Sequence, residues 1–206
     1  MFQPFQLHPW HGIDWHAESP DMVNAFIEIV PTDTVKYEID KKSGFLKVDR
    51  PQKFSNVVPA LYGFIPKTYC GTAVADLCMQ ATSKKNIKGD GDPIDILVFS
   101  ERPIMHGAII IQAIPIGGIR MIDKEEADDK IIAVMKDDAV YGPYQNISDL
   151  PQKLRDRILH YFLTYKDLPG QAKPSVEIAE VYDASEARKV IEASMDDYKK
   201  LIGQAF

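Results

Sequence analysis

The densest concentration of potential chemistry in the chain is the hexapeptide Asp90-Gly91-Asp92-Pro93-Ile94-Asp95. Carboxylates held this close repel one another by roughly 4 kcal/mol per pair at an effective dielectric near 20, so their approach calls for a cation or for solvation. Hard divalent ions such as Mg²⁺ and Mn²⁺ prefer carboxylate oxygen, and no Cys/His pattern in the chain offers a zinc site of similar quality. In a regular strand Asp90 and Asp92 would face one way and Asp95 the other. Gly91 and Pro93 predict instead an irregular turn that can aim all three at one point. A calcium loop of the EF-hand type fails on detail. Asp90, Asp92 and Glu101 count as positions one, three and twelve, but position six, where a Gly must turn sharply, is Asp95, and the apolar run Ile96-Leu97-Val98-Phe99 follows. Taken alone, the hexapeptide is open between a metal site and a solvated acidic turn.

A second acidic group, Asp123-Lys124-Glu125-Glu126-Ala127-Asp128-Asp129-Lys130, lies between two predicted strands. By itself it reads as a charged hairpin loop. If the two groups converge at strand ends, they form the kind of multi-metal site that clamps the attacking and departing oxygens of phosphoryl transfer.

The elements that must position these groups are mostly strands. Phe26 to Val30, Val35 to Asp40 and Phe45 to Arg50 are apolar or alternating runs separated by the turn-rich Pro31-Thr32-Asp33-Thr34 and Lys41-Lys42-Ser43-Gly44, which predicts a β-meander. Period two puts Lys36, Glu38 and Asp40 on one face. Strands resume at Ile94 to Phe99, Ala108 to Pro115, Ile119 to Ile122 and Lys130 to Met135. Many short strands with polar turns predict a small closed barrel, which also removes sheet edges. The C-terminal part predicts two helices. Ser148 or Asp149 caps the first, with Pro151 in its first turn, a stripe of Leu154, Ile158, Tyr161, Phe162 and Tyr165 against the barrel, and Pro169-Gly170 as its stop. After a strand near Val176 to Val181, Asp183 and Glu186 form a capping box for the second, whose apolar face carries Val190, Ile191, Ser194 and Tyr198. Residues 1–25 read as an irregular arm and 66–89 as a long loop excursion. The expected fold is therefore α+β, mainly β, in one domain spanning 1–206.

A net charge of −6 opposes non-specific binding to nucleic acid. No signal peptide and no apolar run of membrane-spanning length is visible, and Cys70 and Cys78 read as reduced structural thiols, which together imply a cytoplasmic chain with no membrane partner.

The Asp-Gly-Asp-Pro-Ile-Asp run, Glu28, Lys36-Tyr37-Glu38, Val48-Asp49-Arg50, Leu61-Tyr62-Gly63-Phe64, the Asp123 to Lys130 segment and Tyr165-Lys166 together resemble the soluble inorganic pyrophosphatases of the first family, in order and spacing from about residue 26 to 200. The resemblance implies an OB-like β-barrel with flanking helices and hydrolysis of pyrophosphate to two phosphates. It implies several Mg²⁺ ions per site, with Mn²⁺ or Zn²⁺ as substitutes. Asp90, Asp95 and Asp128 would hold the first metal, Asp95 would share in the second, Asp123 with Asp128 would serve a further ion, and Glu28 would act on that ion partly through water. Asp92 matches the general base that takes a proton from the attacking water. Lys36, Arg50, Tyr165 and Lys166 match groups that grip phosphate oxygens, Tyr62 and Lys130 complete the ring, and Glu38 supports it. A homo-oligomer is implied as well, a hexamer in bacterial relatives. The 66–89 stretch and the first 25 residues depart from the pattern but hold none of these positions. The spacing of His8, His11 and His16 suggests a metal, but an arm docking on a neighbouring subunit is the preferred reading.

Two other functions fit parts of the same sequence. One is hydrolysis of nucleoside triphosphates by the same metals, for which no base-binding element is evident. The other is an oligonucleotide-binding barrel, which the acidic charge and the lack of a basic aromatic stripe oppose.

Overall fold

The computed structural model describes residues 7–167, 170 and 176–203. The strands are β1 (Val23–Ile29), β2 (Val35–Ile39), β3 (Leu46–Pro51), β4 (Leu61–Phe64), β5 (Lys88–Gly89), β6 (Asp95–Phe99), β7 (Ile109–Asp123), β8 (Glu126–Ala127), β9 (Lys130–Met135) and β10 (Val176–Asp183); the helices are α1 (Thr72–Thr82), α2 (Gln152–Thr164) and α3 (Ala184–Gly203). The fold is mainly β, with both expected C-terminal helices and one more.

Five strands pair in a closed circuit, β1 with β4, β4 with β6, β6 with β9, β9 with β7 and β7 back to β1. All of these pairings are antiparallel except β6 with β9. The β2–β3 hairpin forms a separate two-stranded sheet, and β10 pairs with β7. One apolar cluster holds Ile27, Ile94, Ile96 and Ile131 with Val190 and Ile191 of α3. Another packs Ile158 and Phe162 of α2 on Leu97, Ile119 and Ile132. The two helical stripes foreseen from the sequence thus bury on opposite sides of the strand circuit.

Several local expectations change. The strands expected at 108–115 and 119–122 are one fifteen-residue strand, Ile109–Asp123, which continues through 116–118. Pro115 and the glycines after it mark a register irregularity against β9 rather than a break, which is where a strand tolerates a residue without an N–H. The four-residue β4 is too short to stand out, and it contains Gly63, where a Cβ would lie 1.9 Å from the Phe26 carbonyl oxygen.

The 66–89 excursion is not a loop, since it contains α1. No local side chain caps α1. The cap comes from Asp197 of α3, whose carboxylate accepts from the backbone N–H groups of Gly71 (3.1 Å), Ala73 (2.8 Å) and Val74 (3.2 Å). Neither Ser148 nor Asp149 caps α2. Asn146 and Asp149 instead form a capping box around the short 3₁₀ turn Ile147–Asp149 that precedes it. At α3 the box is half made: Glu186 donates its backbone N–H to Asp183 at 3.0 Å, while its carboxylate turns to Arg120. The helix ends at Thr164, and Pro169, its predicted stop, lies outside the described residues. The arm gives way to β1 at Val23, and its described part packs against the strand circuit and α3 of its own chain. Trp10 is buried against Phe26, Phe64 and Tyr198, and its indole N–H donates to the Thr68 carbonyl at 2.8 Å. Both cysteines are free and buried. No helix among the described residues is long and apolar enough to cross a membrane.

Candidate active site

The Asp90–Asp95 loop is built from its back. Asp92 donates its backbone N–H to its neighbour Asp90 Oδ1 (2.9 Å), and Gly91 takes a φ of +77°, a left-handed conformation that glycine adopts freely. Behind the loop, the Cys70 N–H donates to the Asp92 carbonyl (2.8 Å) and the Gly91 N–H to the Cys70 carbonyl (3.1 Å). Fully buried Thr68 accepts from the Ile94 N–H at 3.0 Å. The turn that the sequence needed therefore exists, and residues 68–70 supply its support.

All thirteen residues singled out from the sequence line one cavity of about 260 Å³. Glu28 comes from β1, Lys36 and Glu38 from β2, Arg50 from β3, Tyr62 from β4, Asp95 from β6, Asp123 from β7, Lys130 from β9, and Tyr165 and Lys166 from the end of α2. Asp95 and Lys130 are direct partners in the β6–β9 register, and Lys36 and Arg50 in the β2–β3 register. Asp40, although on the same strand face by period, lies past the end of β2 and closes the hairpin turn through Ser43.

The same cavity is lined by residues that the sequence did not single out, among them Lys41, Gln52, Glu126, Tyr161 and Phe162. Lys41 sits in the β2–β3 turn and forms an ion pair with Asp92. Its one signal was its place next to a strand carrying two site residues. Gln52 stands two residues beyond Arg50, the spacing that repeats a strand face.

The cavity brings eight carboxylates (Glu28, Glu38, Asp90, Asp92, Asp95, Asp123, Glu126 and Asp128) against five cationic groups (Lys36, Lys41, Arg50, Lys130 and Lys166), an excess of three negative charges. Burial first, and the neighbouring carboxylates second, mark these acids. Burial, with Asp95 adding to it, pushes Glu28 up to about 8, although its carboxylate accepts from the Ile39 N–H at 2.7 Å. Burial and the nearby Asp128 push Asp90 up to about 8 as well. Asp128 is also held above its ordinary value, burial being the largest cause. Burial would pull Lys130 down, but Asp128 and Asp95 overcome it and keep the ammonium charged.

Lys130 pairs with both Asp95 and Asp128, Tyr62 donates its hydroxyl to Asp95 at 2.6 Å, and Lys166 pairs with Asp123 at 2.6 Å. With lysines between the acids, no group of three ligand-type side chains among the described residues stands in metal-holding geometry. The donor set nevertheless suits a hard divalent cation. It is all oxygen, it carries surplus negative charge, and Asp123 Oδ1 is buried with no hydrogen-bond partner. A divalent ion held by these acids would offset the surplus charge and give Asp123 Oδ1 a partner.

The chain matches the family model described as inorganic pyrophosphatase over residues 25–199. It is 53% identical over 198 residues to the inorganic pyrophosphatase of Chlamydia trachomatis, covering 94% of this chain and 95% of that one. It is 37% identical to the soluble inorganic pyrophosphatase of Zea mays, covering 96% and 82%. Among solved structures, that of the Thermus thermophilus inorganic pyrophosphatase superposes with a TM-score of 0.77 at 28% identity, covering 93% of this chain and 99% of that one.

Proposed function

The chain belongs to the inorganic pyrophosphatase family, and from that premise we propose that it hydrolyses pyrophosphate to two phosphates in the cavity between the Asp90–Asp95 loop and the β2–β3 hairpin. One observation carries the assignment of the site: eight carboxylates and five cationic groups, drawn from segments far apart in sequence, line one cavity of about 260 Å³. We read the five-strand circuit as a small OB-like barrel and this cavity as its mouth.

Asp90, Asp95, Asp123, Asp128 and Glu28 would hold divalent metal, Mg²⁺ first with Mn²⁺ or Zn²⁺ as substitutes. When bound, the metal neutralises the acids and lowers the proton affinity of the attacking water. Asp92 is suited to take that proton, because its side chain is the more open carboxylate of the loop and Lys41 steadies it. Lys36, Arg50, Tyr165 and Lys166 meet the phosphate oxygens. Burial pulls Lys36 and Lys166 downward, yet the neighbouring Glu38 and Asp49 for the first, and Tyr165 and Asp123 for the second, hold both above their ordinary value and keep them cationic. Tyr62 and Glu38 hold Asp95 and Lys36 in place. Asp92 would take the proton of the attacking water while the basic groups neutralise charge on the phosphate oxygens as the anhydride bond breaks. A cytoplasmic setting and homo-oligomeric assembly, a hexamer by analogy with bacterial relatives, belong to the same reading.

The test is phosphate release from pyrophosphate by the purified chain with Mg²⁺, and in parallel with Mn²⁺ and Zn²⁺. Turnover on pyrophosphate well above turnover on ATP is expected. Folded protein that releases no phosphate from pyrophosphate with any of the three metals would overturn the proposal.

A further inference from the structure

We infer that Gln52 is a substrate-binding residue, a neutral donor to the leaving phosphate; this rests on the cavity being the pyrophosphatase site. Gln52 directly follows β3, and its backbone N–H donates to the Thr34 carbonyl at 2.9 Å, so the strand ladder continues one step past Pro51. That step places it on the face of Arg50, and both residues line the cavity. The Gln52 amide nitrogen is buried without a hydrogen-bond partner among the described residues, and so is Nη1 of Arg50. Two adjacent buried donors lacking acceptors are costly in a folded protein unless a ligand supplies the acceptors. An anion rich in oxygen at this edge would satisfy both.

The position also says which half of the substrate is met. Lys41, which holds the proposed base Asp92, lies at the turn end of the β2–β3 hairpin, whereas Arg50 and Gln52 lie at its open end, where Val35 pairs with Pro51. In an in-line displacement the attacking water and the leaving oxygen are on opposite sides of the reacting phosphorus. With the base at the turn end, the leaving phosphate falls at the open end. That end is anchored to the Tyr165-Lys166 segment, since Asn56 donates to the Thr164 carbonyl at 3.1 Å and Lys53 to the Lys166 carbonyl at 3.4 Å. Gln52 therefore closes the gap between Arg50 and the basic end of α2.

The test compares wild type with Q52M, which keeps length but donates nothing, and Q52E, which places a carboxylate where the donor stood. Each is assayed for kcat and KM on pyrophosphate with Mg²⁺, inhibition by inorganic phosphate, and melting temperature. Loss of a hydrogen bond to a charged group predicts that Q52M raises KM and the phosphate inhibition constant by roughly tenfold or more. Its melting temperature should not fall, because an unpaired donor has been removed. Q52E should bind both anions more weakly still. Wild-type KM and phosphate inhibition in Q52M would overturn the inference, as would a Q52M defect that tracks lost thermal stability, or a Q52E enzyme that binds phosphate as well as wild type. An inactive wild type would instead reject the underlying assignment of the site.

Discussion

Asp128, Asp129 and Lys130 are consecutive, yet they serve two different buried ionic clusters. Asp128 and Lys130 face the cavity, where acids outnumber cations, an oxygen of Asp123 stands unpaired, and one side is open. Asp129 points the other way, into a closed cluster around Arg120, which is 1% exposed. There Arg120 meets Glu180 at 2.7 Å, Glu186 at 2.9 Å and Asp129 at 3.5 Å, and Tyr182 donates its hydroxyl to Asp129 at 3.1 Å while its ring lies under the guanidinium. Burial still pushes Asp129 up to about 7, against the pull of Arg120 and Tyr182. Both clusters hold shifted acids, so a shifted acid does not by itself distinguish chemistry from architecture. What distinguishes them is access. The first lines a cavity that a ligand can enter, while the second joins β7, the 128–130 segment, β10 and α3 around a single guanidinium.

If that contrast is right, changes on the open side should affect rate and changes on the closed side should affect stability. The largest effect is expected from Asp92→Asn, which keeps the shape of the carboxylate but not its basicity. It should lower kcat by about 10²- to 10⁴-fold with unfolding unchanged, and kinetics beside urea denaturation will check both halves. Near-wild-type turnover would remove Asp92 from its role.

Next in size is Arg120→Ala. It leaves Asp129 buried without its cation and should cost about 3–5 kcal/mol of unfolding free energy. The activity of the protein that remains folded should fall much less. A variant as stable as wild type but inactive would erase the boundary between the clusters.

The smallest effect belongs to Glu186. Burial alone would raise its pKa, but the hydrogen bond from Arg120 and that from Lys189 outweigh burial and hold it below its ordinary 4.5. Its contribution is therefore complete above that value and fades as pH falls through the lower folded one. Glu186→Gln should cost under about 1 kcal/mol at neutral pH, a modest amount for a partly exposed pair. The gap to wild type should close in acid, which melting curves between pH 3 and pH 7 would reveal.

The legible parts of this fold were those whose signal is local. The stripe of Ile158, Tyr161 and Phe162 and that of Val190, Ile191 and Tyr198 announced α2 and α3, because a helix buries a face written at its own period. α1 went unread for the converse reason. Its cap is Asp197, more than 120 residues away, so nothing in Gly71-Thr72-Ala73 marks a helix start. The site divides in the same manner. Asp90, Asp92 and Asp95 crowd one turn and were conspicuous, and the spread-out Lys36, Arg50 and Tyr165-Lys166 became legible only through resemblance. Lys41 and Gln52 had no such guide. Each is a common surface-type residue at the edge of a hairpin, and only the packing of that hairpin over the Asp90–Asp95 loop turns both inward.

By itself the sequence determined the composition of the machinery: an oxygen-rich acidic turn, a set of dispersed cations, and the strand and helix periods able to hold them. Those properties are local, since residue type fixes charge and ligand preference, and spacing fixes which face a side chain takes. Tertiary structure alone decided where each charge is spent. Period two places Asp128 and Asp129 on opposite sides of the chain, but only the packing of β7, β9 and β10 around Arg120 buries one of them beside the guanidinium and leaves the other on the cavity wall. Burial and partnership depend on segments that meet only when the chain is folded, and they govern whether a carboxylate supports the frame or remains available to a ligand.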